Sequence, residues 1–139
     1  MNMLNGLALA YLGDSVWEIY VRKHLVDRGL TKVNDLHKAA IRFTSAVGEA
    51  LAADALFAEG FYSEAEIDLF KRGRNAESTH KPKSVDLGTY HKSTGFEAVI
   101  GFLFVEGMTV RMEELIAHTL SLIEEIHEKE RDSAPENRP

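Results

Sequence analysis

The chain has 139 residues, 45% hydrophobic and 27% charged, with 16 Lys+Arg against 22 Asp+Glu and a formal net charge of −6. One globular domain is the expectation, and wholesale disorder or a generic basic nucleic-acid binder is excluded. With no cysteine, disulfides, thiolate zinc sites and a cysteine nucleophile are excluded as well. No apolar run approaches the roughly 18 residues of a membrane span, and the N-terminus lacks the basic start of a secretory leader. A cytoplasmic protein with no membrane association is expected.

Only three prolines occur, at Pro82, Pro135 and Pro139, so nearly the whole chain is free to be helical. Leu4 to Asp27 reads as a first helix. Leu9, Leu12, Val16 and Ile19 form one apolar stripe and Leu7, Tyr11, Trp17 and Val21 another, the pattern of a central helix covered on most sides. Gly29 suits its C-terminal cap. Thr31 to Glu59 is helical again, with a break near Arg42–Thr44 and Thr44 or Ser45 as the cap of its second half. Ser63 and Glu66 form a capping box that starts a short helix to about Arg74. Asn75 to Ser93 lacks periodicity and reads as a long irregular segment, of a length usually functional or disordered. Thr94 to Glu106 is an apolar helix ending at Gly107, and Thr109 caps a last helix to about Glu130. The class is all-α, with roughly six or seven helices in one domain over residues 1–131 and a polar tail over 132–139.

Two acids stand out. Asp14 and Glu18 are the only charged residues from Leu7 to Val21, and Glu97 is the only one from Gly95 to Val105. A carboxylate in so apolar a helix is costly unless it is paired, hydrogen-bonded or bound to a metal. Gly13 adjoins Asp14, and Gly101 lies one turn beyond Glu97. Glycine within a helix costs about 1 kcal/mol against alanine, which close helix approach would offset. Two crossing helices with Asp14 facing Glu97 are therefore expected. A hard divalent cation such as Mg²⁺ would relieve the repulsion; a salt bridge to a neighbour such as Arg22 is the competing use. No P-loop, serine-hydrolase elbow or His-pair zinc motif is present.

The acidic average conceals a local excess of cations. Residues 71–92 carry six Lys+Arg against two Asp+Glu, a net of +4. Lys71, Arg72, Arg74, Lys81, Lys83 and Lys92, with Asn75 among the polar groups between them, have a phosphate-binding composition. A solvated charged loop is the alternative.

LALAYLGDSVWEIYVR (Leu7–Arg22) resembles the signature helix of the ribonuclease III family, and STGFEAVIGFLF (Ser93–Phe104) resembles its second acidic helix. FKRGRNA (Phe70–Ala76), PKSVDLGTY (Pro82–Tyr90) and the following Ser93-Thr94 resemble its small bacterial branch, mini-ribonuclease III. The resemblance implies that Asp14 and Glu97 are the Mg²⁺-associated catalytic acids. It also implies a homodimer that cuts double-stranded RNA into 5′-phosphate and 3′-hydroxyl ends, with precursor 23S ribosomal RNA as the substrate. Full-length members have a glutamate where this chain has Ala10 and an aspartate where it has Thr94. Fewer fixed carboxylates leave more coordination to water, RNA phosphate and neighbours such as Glu18 or Thr94. With no separate binding domain, the cations of the irregular segment would carry the RNA backbone. Leu12, Val16, Trp17 and Ile19 are the expected dimer face, with core packing as the competing use. A non-catalytic RNA-binding or ribosome-assembly protein on the same fold is the rival function, and an all-α nucleotide pyrophosphohydrolase a more distant one.

Overall fold

The computed structural model describes residues 5–76 and 83–133. Within them the chain forms six α-helices and no strand: α1 (Gly6–Asp27), α2 (Val33–Thr44), α3 (Ala46–Ala58), α4 (Glu64–Asn75), α5 (Leu87–Val105) and α6 (Thr109–Ser133). The all-α class is as expected.

Local chemistry sets most boundaries. The Asn5 side chain accepts from the Ala8 N–H to start α1. Ser45 accepts from the Gly48 N–H to start α3, which divides the long second segment where the sequence suggests a break. Ser63 and Glu66 exchange both bonds of a capping box. Gly29 and Gly107 end α1 and α5 at positive φ, 96° and 68°. The Leu30 and Met108 N–H groups then close back onto Leu25 and Leu103, the Schellman pattern that glycine permits.

Two boundaries differ from expectation. Helix α5 starts at Leu87 rather than Thr94, because Asp86 caps it: its carboxylate accepts from both the N–H and the hydroxyl of Thr89. Tyr90, His91, Lys92 and Ser93 are therefore helical, and the irregular segment is much shorter than 19 residues. Helix α6 runs to Ser133, so the first two residues of the expected tail are helical; the remainder, 134–139, lies outside the described residues.

Helices α1 and α5 cross at the centre. Trp17 is fully buried there, edge-on to Phe96 at 5.1 Å, and its indole N–H donates to the Phe43 carbonyl at 2.9 Å. One side chain thus ties α1 to α5 and to the end of α2. Around it pack Leu9, Val21, Leu56, Phe70, Ile100 and Leu103. Helix α6 closes the far side through Leu115, Ile116 and Ile123. The buried Glu66 is paired with Arg111 of α6, whose Nε and Nη2 donate to its two oxygens at 2.8 and 2.7 Å. Burial opposes the charge on Glu66, but the guanidinium and Ser63 outweigh it and hold this carboxyl below its ordinary range.

Burial divides the four residues expected at a dimer face. Trp17 and Val16 are spent on the protomer's own core, because α1 is packed from several sides. Leu12 is half-buried and Ile19 is 66% exposed, so only these two of the four face outward.

Candidate active site

The α1–α5 crossing is unusually close. A Cβ on Gly13 would lie 1.8 Å from the Glu97 carbonyl oxygen, and one on Gly101 would lie 1.9 Å from that of Leu9. Only glycine at both positions lets the backbones touch. The contact brings Asp14, one residue past Gly13, beside Glu97, the pairing expected from the sequence.

A third acid joins them. Asp14, Glu49 and Glu97 each offer a carboxylate oxygen, all within 4.8 Å of one another. Glu49 comes from the first turn of α3 and is 1% exposed. The three form a gradient from interior to surface, with Glu49 buried, Glu97 half-buried and Asp14 exposed. The charges of Glu97 and Asp14 both act on Glu49, and that of Asp14 acts on Glu97. The buried Oε2 of Glu49 receives no hydrogen bond.

The electrostatics follow from this packing. Desolvation, then the charge and contact of Asp14, push the Glu97 carboxyl up to about 9. Glu49 is raised well above the carboxylate range, first by desolvation and then by Glu97, Asp14 and Glu18. Three carboxyls crowded in this way need protons or a cation between them, and an oxygen-only donor set suits a hard divalent ion. The residues present fit a metal site.

The neighbouring groups fall out as follows. Glu18 pairs with Arg22 at 2.9 Å, so the arginine considered as a partner for Asp14 is engaged one turn away. Thr94 lies one turn before Glu97, buried, its hydroxyl donating to the Tyr90 carbonyl at 3.0 Å. Ala10 is buried too. Ala10 and Thr94 thus add no carboxyl to the site, and Glu49 brings the number clustered there to three.

The cations gather partly on this side. Gly73 of α4 packs directly on α5, where an added Cβ would lie 2.6 Å from Cβ of Ala98 and 3.0 Å from the Thr94 carbonyl oxygen. The last turns of α4 therefore lie against the turn of α5 that bears Glu97. Lys71, Arg72 and Asn75 are exposed there, and Arg74 is half-buried with its Nε donating to Asn75. Lys83 is exposed just before α5. Lys92 sits on α5 and pairs with Asp54 at 2.9 Å. Lys81 lies outside the described residues.

Sequence reasoning missed Glu49. It is the only charged residue from Phe43 to Ala53 and adjoins Gly48, the same signal that marks Asp14 and Glu97 and that could have found it.

Fold and site together define a helical nuclease domain. Residues 7–108 match the Ribonuclease III domain, and the chain belongs to the mini-ribonuclease 3 branch of that family. It is 40% identical over 124 residues to Mini-ribonuclease 3 of Streptococcus pneumoniae, spanning 89% of this chain and 97% of that one. To the Mini-ribonuclease 3 proteins of Enterococcus faecalis and Staphylococcus aureus it is 44% and 39% identical, over 91% and 90% of this chain and 96% and 93% of theirs. A crystal structure of a Fusobacterium nucleatum protein superposes with a TM-score of 0.73 at 25% identity, covering 84% of this chain and 92% of that one. The chain is an endoribonuclease. No helix among the described residues is long and apolar enough to cross a membrane.

Proposed function

We propose that this endoribonuclease hydrolyses double-stranded RNA in a Mg²⁺-dependent reaction, with Asp14 and Glu97 holding the ion. The observation that carries this reading is the convergence of carboxyls at the α1–α5 crossing, beside the cationic end of α4. Mg²⁺ bound there supplies charge neutralisation at the scissile phosphate and a more acidic water. The chain's own groups do the rest. Asp14 and Glu97 fix the site at the contact of two rigid helices, so little reorganisation is needed on binding. Lys71, Arg72, Arg74 and Lys83 hold the RNA backbone, the feature by which duplex RNA is chiefly gripped. Lys81 and Lys92 belong to the same set, and Lys92 can exchange its exposed partner Asp54 for phosphate at small cost. Thr94 anchors the turn of α5 that presents Glu97, and Glu18 adds negative charge nearby. Water adds to phosphorus, the bond to the 3′ oxygen breaks, and that oxygen leaves with a proton, giving 5′-phosphate and 3′-hydroxyl ends.

A second copy of the chain supplies the second cut. The duplex has two antiparallel backbones, and a two-fold dimer presents two matching sites. Tyr11 supports this reading, being 79% exposed on an otherwise apolar helix, one turn before Asp14. Leu7 and Phe104, also exposed, extend the apolar surface on α1 and near the end of α5. The biological substrate in this reading is a ribosomal RNA precursor, that of 23S RNA, in the cytoplasm. Incubation of purified protein with double- and single-stranded RNA, with Mg²⁺ or EDTA, followed by end mapping, tests the reaction class. Duplex-selective, Mg²⁺-dependent cleavage is expected, and cleavage in EDTA or of single strands alone would reject it.

A further inference from the structure

The end of α4 and the segment after it do not hold the only local excess of positive charge. All six Lys+Arg of residues 1–70 lie between Arg22 and Arg42, against Asp27 and Asp35, a net of +4. That equals the excess over residues 71–92, in a chain whose net charge is −6. All six side chains are exposed, on the last turns of α1, the connection after it and α2. Arg22, Lys23 and Arg28 pair with Glu18, Asp27 and Glu124. Lys32, Lys38 and Arg42 make no ion pair among the described residues, and Asp35 is the one acid between them. Only Phe43 of α2 is fully buried, so the flank that carries Lys38 and Arg42, one turn apart, is open. A cavity of about 540 Å³ between the ends of α1, α2 and α6 has Arg28, Arg42 and Arg131 on its wall. Glu124, Glu128 and Glu130 line it as well, so its charges balance and the excess lies on the outer face of α2.

Helix α1 relates this face to the metal site. The cationic end of α4 meets the start of α1, where a Cβ on Gly6 would lie 2.7 Å from the Arg72 carbonyl oxygen. Asp14 follows eight residues later and Arg22 eight after that, about 12 Å for each step along a helix. Arg22 also returns to within about 80° of the Asp14 direction. Asp14 thus lies midway between two cationic regions. We propose that residues 22–42 form a second RNA-backbone contact, with Lys38 and Arg42 at its centre and Arg22 at the edge nearest Asp14, so that the substrate is held on both sides of the metal site. The inference rests on the RNA-cleavage reading above. Repeated unpaired cations on an acidic chain suit a polyanion, and phosphate contacts position a nucleic acid without reading its sequence. Exposed pairs such as Arg22–Glu18 yield to phosphate at small cost.

The test compares Lys38→Ala/Arg42→Ala with Lys71→Ala/Arg74→Ala and the unmodified protein. It uses binding isotherms on a long RNA duplex in EDTA at three salt concentrations, steady-state cleavage of the same duplex, and circular dichroism as the check on folding. Lys38→Ala/Arg42→Ala should keep its helical content and bind the duplex more weakly. Its slope of log K against log salt should be shallower by about two, and its KM should rise while kcat is unchanged. Isotherms of Lys38→Ala/Arg42→Ala that superpose on those of the unmodified protein, with weakening confined to Lys71→Ala/Arg74→Ala, would overturn the proposal and leave the RNA reading standing. A fall in kcat with KM unchanged would also overturn it, by making the effect one on the reacting groups. If the double variant does not fold, Lys38→Glu alone, at an exposed position, decides by the same slope. Failure of the unmodified protein to bind the duplex would instead overturn the RNA reading beneath it.

Discussion

Gly13 and Gly101 face each other across the α1–α5 crossing, so closely that a Cβ on either would lie about 3 Å from the other's backbone nitrogen: 2.9 Å in one direction and 3.1 Å in the other. That approach sets the separation of Asp14 and Glu97, since each acid lies within about one turn of one of the two glycines.

Gly13→Ala should therefore impair both the fold and the site. The new methyl meets the Glu97 carbonyl oxygen, a backbone atom that cannot turn aside. Overpacking of this kind costs about 1–3 kcal/mol or more, which urea melts will measure. Turnover per folded molecule should fall as well, because separating the helices moves Asp14 away from Glu97. Unchanged stability and turnover would mean that the helices have slack at this point.

The metal-free protein should lose stability as pH rises from about 5 to 9. Glu97, raised to about 9 by burial and Asp14, keeps its proton in the native state over a range where the unfolded chain has released it. Native protein then binds more protons than unfolded, so stability declines with rising pH across that window. Glu97→Gln should flatten the decline. Added Mg²⁺ should stabilise more at pH 8.5 than at pH 6, because binding must displace protons. Thermal melts across pH, with EDTA or Mg²⁺, check all three outcomes.

Tyr11→Ser should shift the protein from dimer to monomer in sedimentation velocity while leaving its helical content intact, since the side chain is largely outside the protomer core. The monomer should nick one strand of a duplex rather than cut both. A variant that remains dimeric would move the interface away from this face of α1.

Replacing Lys71 and Arg74 together by alanine should weaken duplex binding. The slope of log K against log salt should become shallower by about one for each phosphate that is no longer neutralised. Binding isotherms at three salt concentrations measure this. Parallel curves for the variant and the unmodified protein would remove both residues from the interface.

The pairing of Asp14 with Glu97 was legible because each acid is nearly alone in an apolar helix beside a glycine, an arrangement that local propensity disfavours. The caps at Ser45 and Ser63 were legible for a similar reason, their side-chain chemistry being local. Glu49 carries the same local signal as those two acids, being the only charged residue from Phe43 to Ala53 and next to Gly48, but its place beside them comes from three helices meeting and has no local mark. The role of Trp17 was equally hidden. A helix apolar on most faces does not say which side chains meet the protomer's core and which meet a partner. The start of α5 was obscured because Gly88 and Thr89 are weak helix formers; the Asp86 cap, with its bond from Thr89, is the signal that marks it.

The most direct measurement is single-turnover cleavage of an end-labelled RNA duplex by Asp14→Asn, with folding and duplex affinity verified in parallel. Losing an acid that holds the ion removes several kcal/mol of transition-state stabilisation, a rate loss of about 10²-fold or more. That loss is expected, with duplex binding retained. Mg²⁺-dependent cleavage by Asp14→Asn at close to the unmodified rate would contradict it.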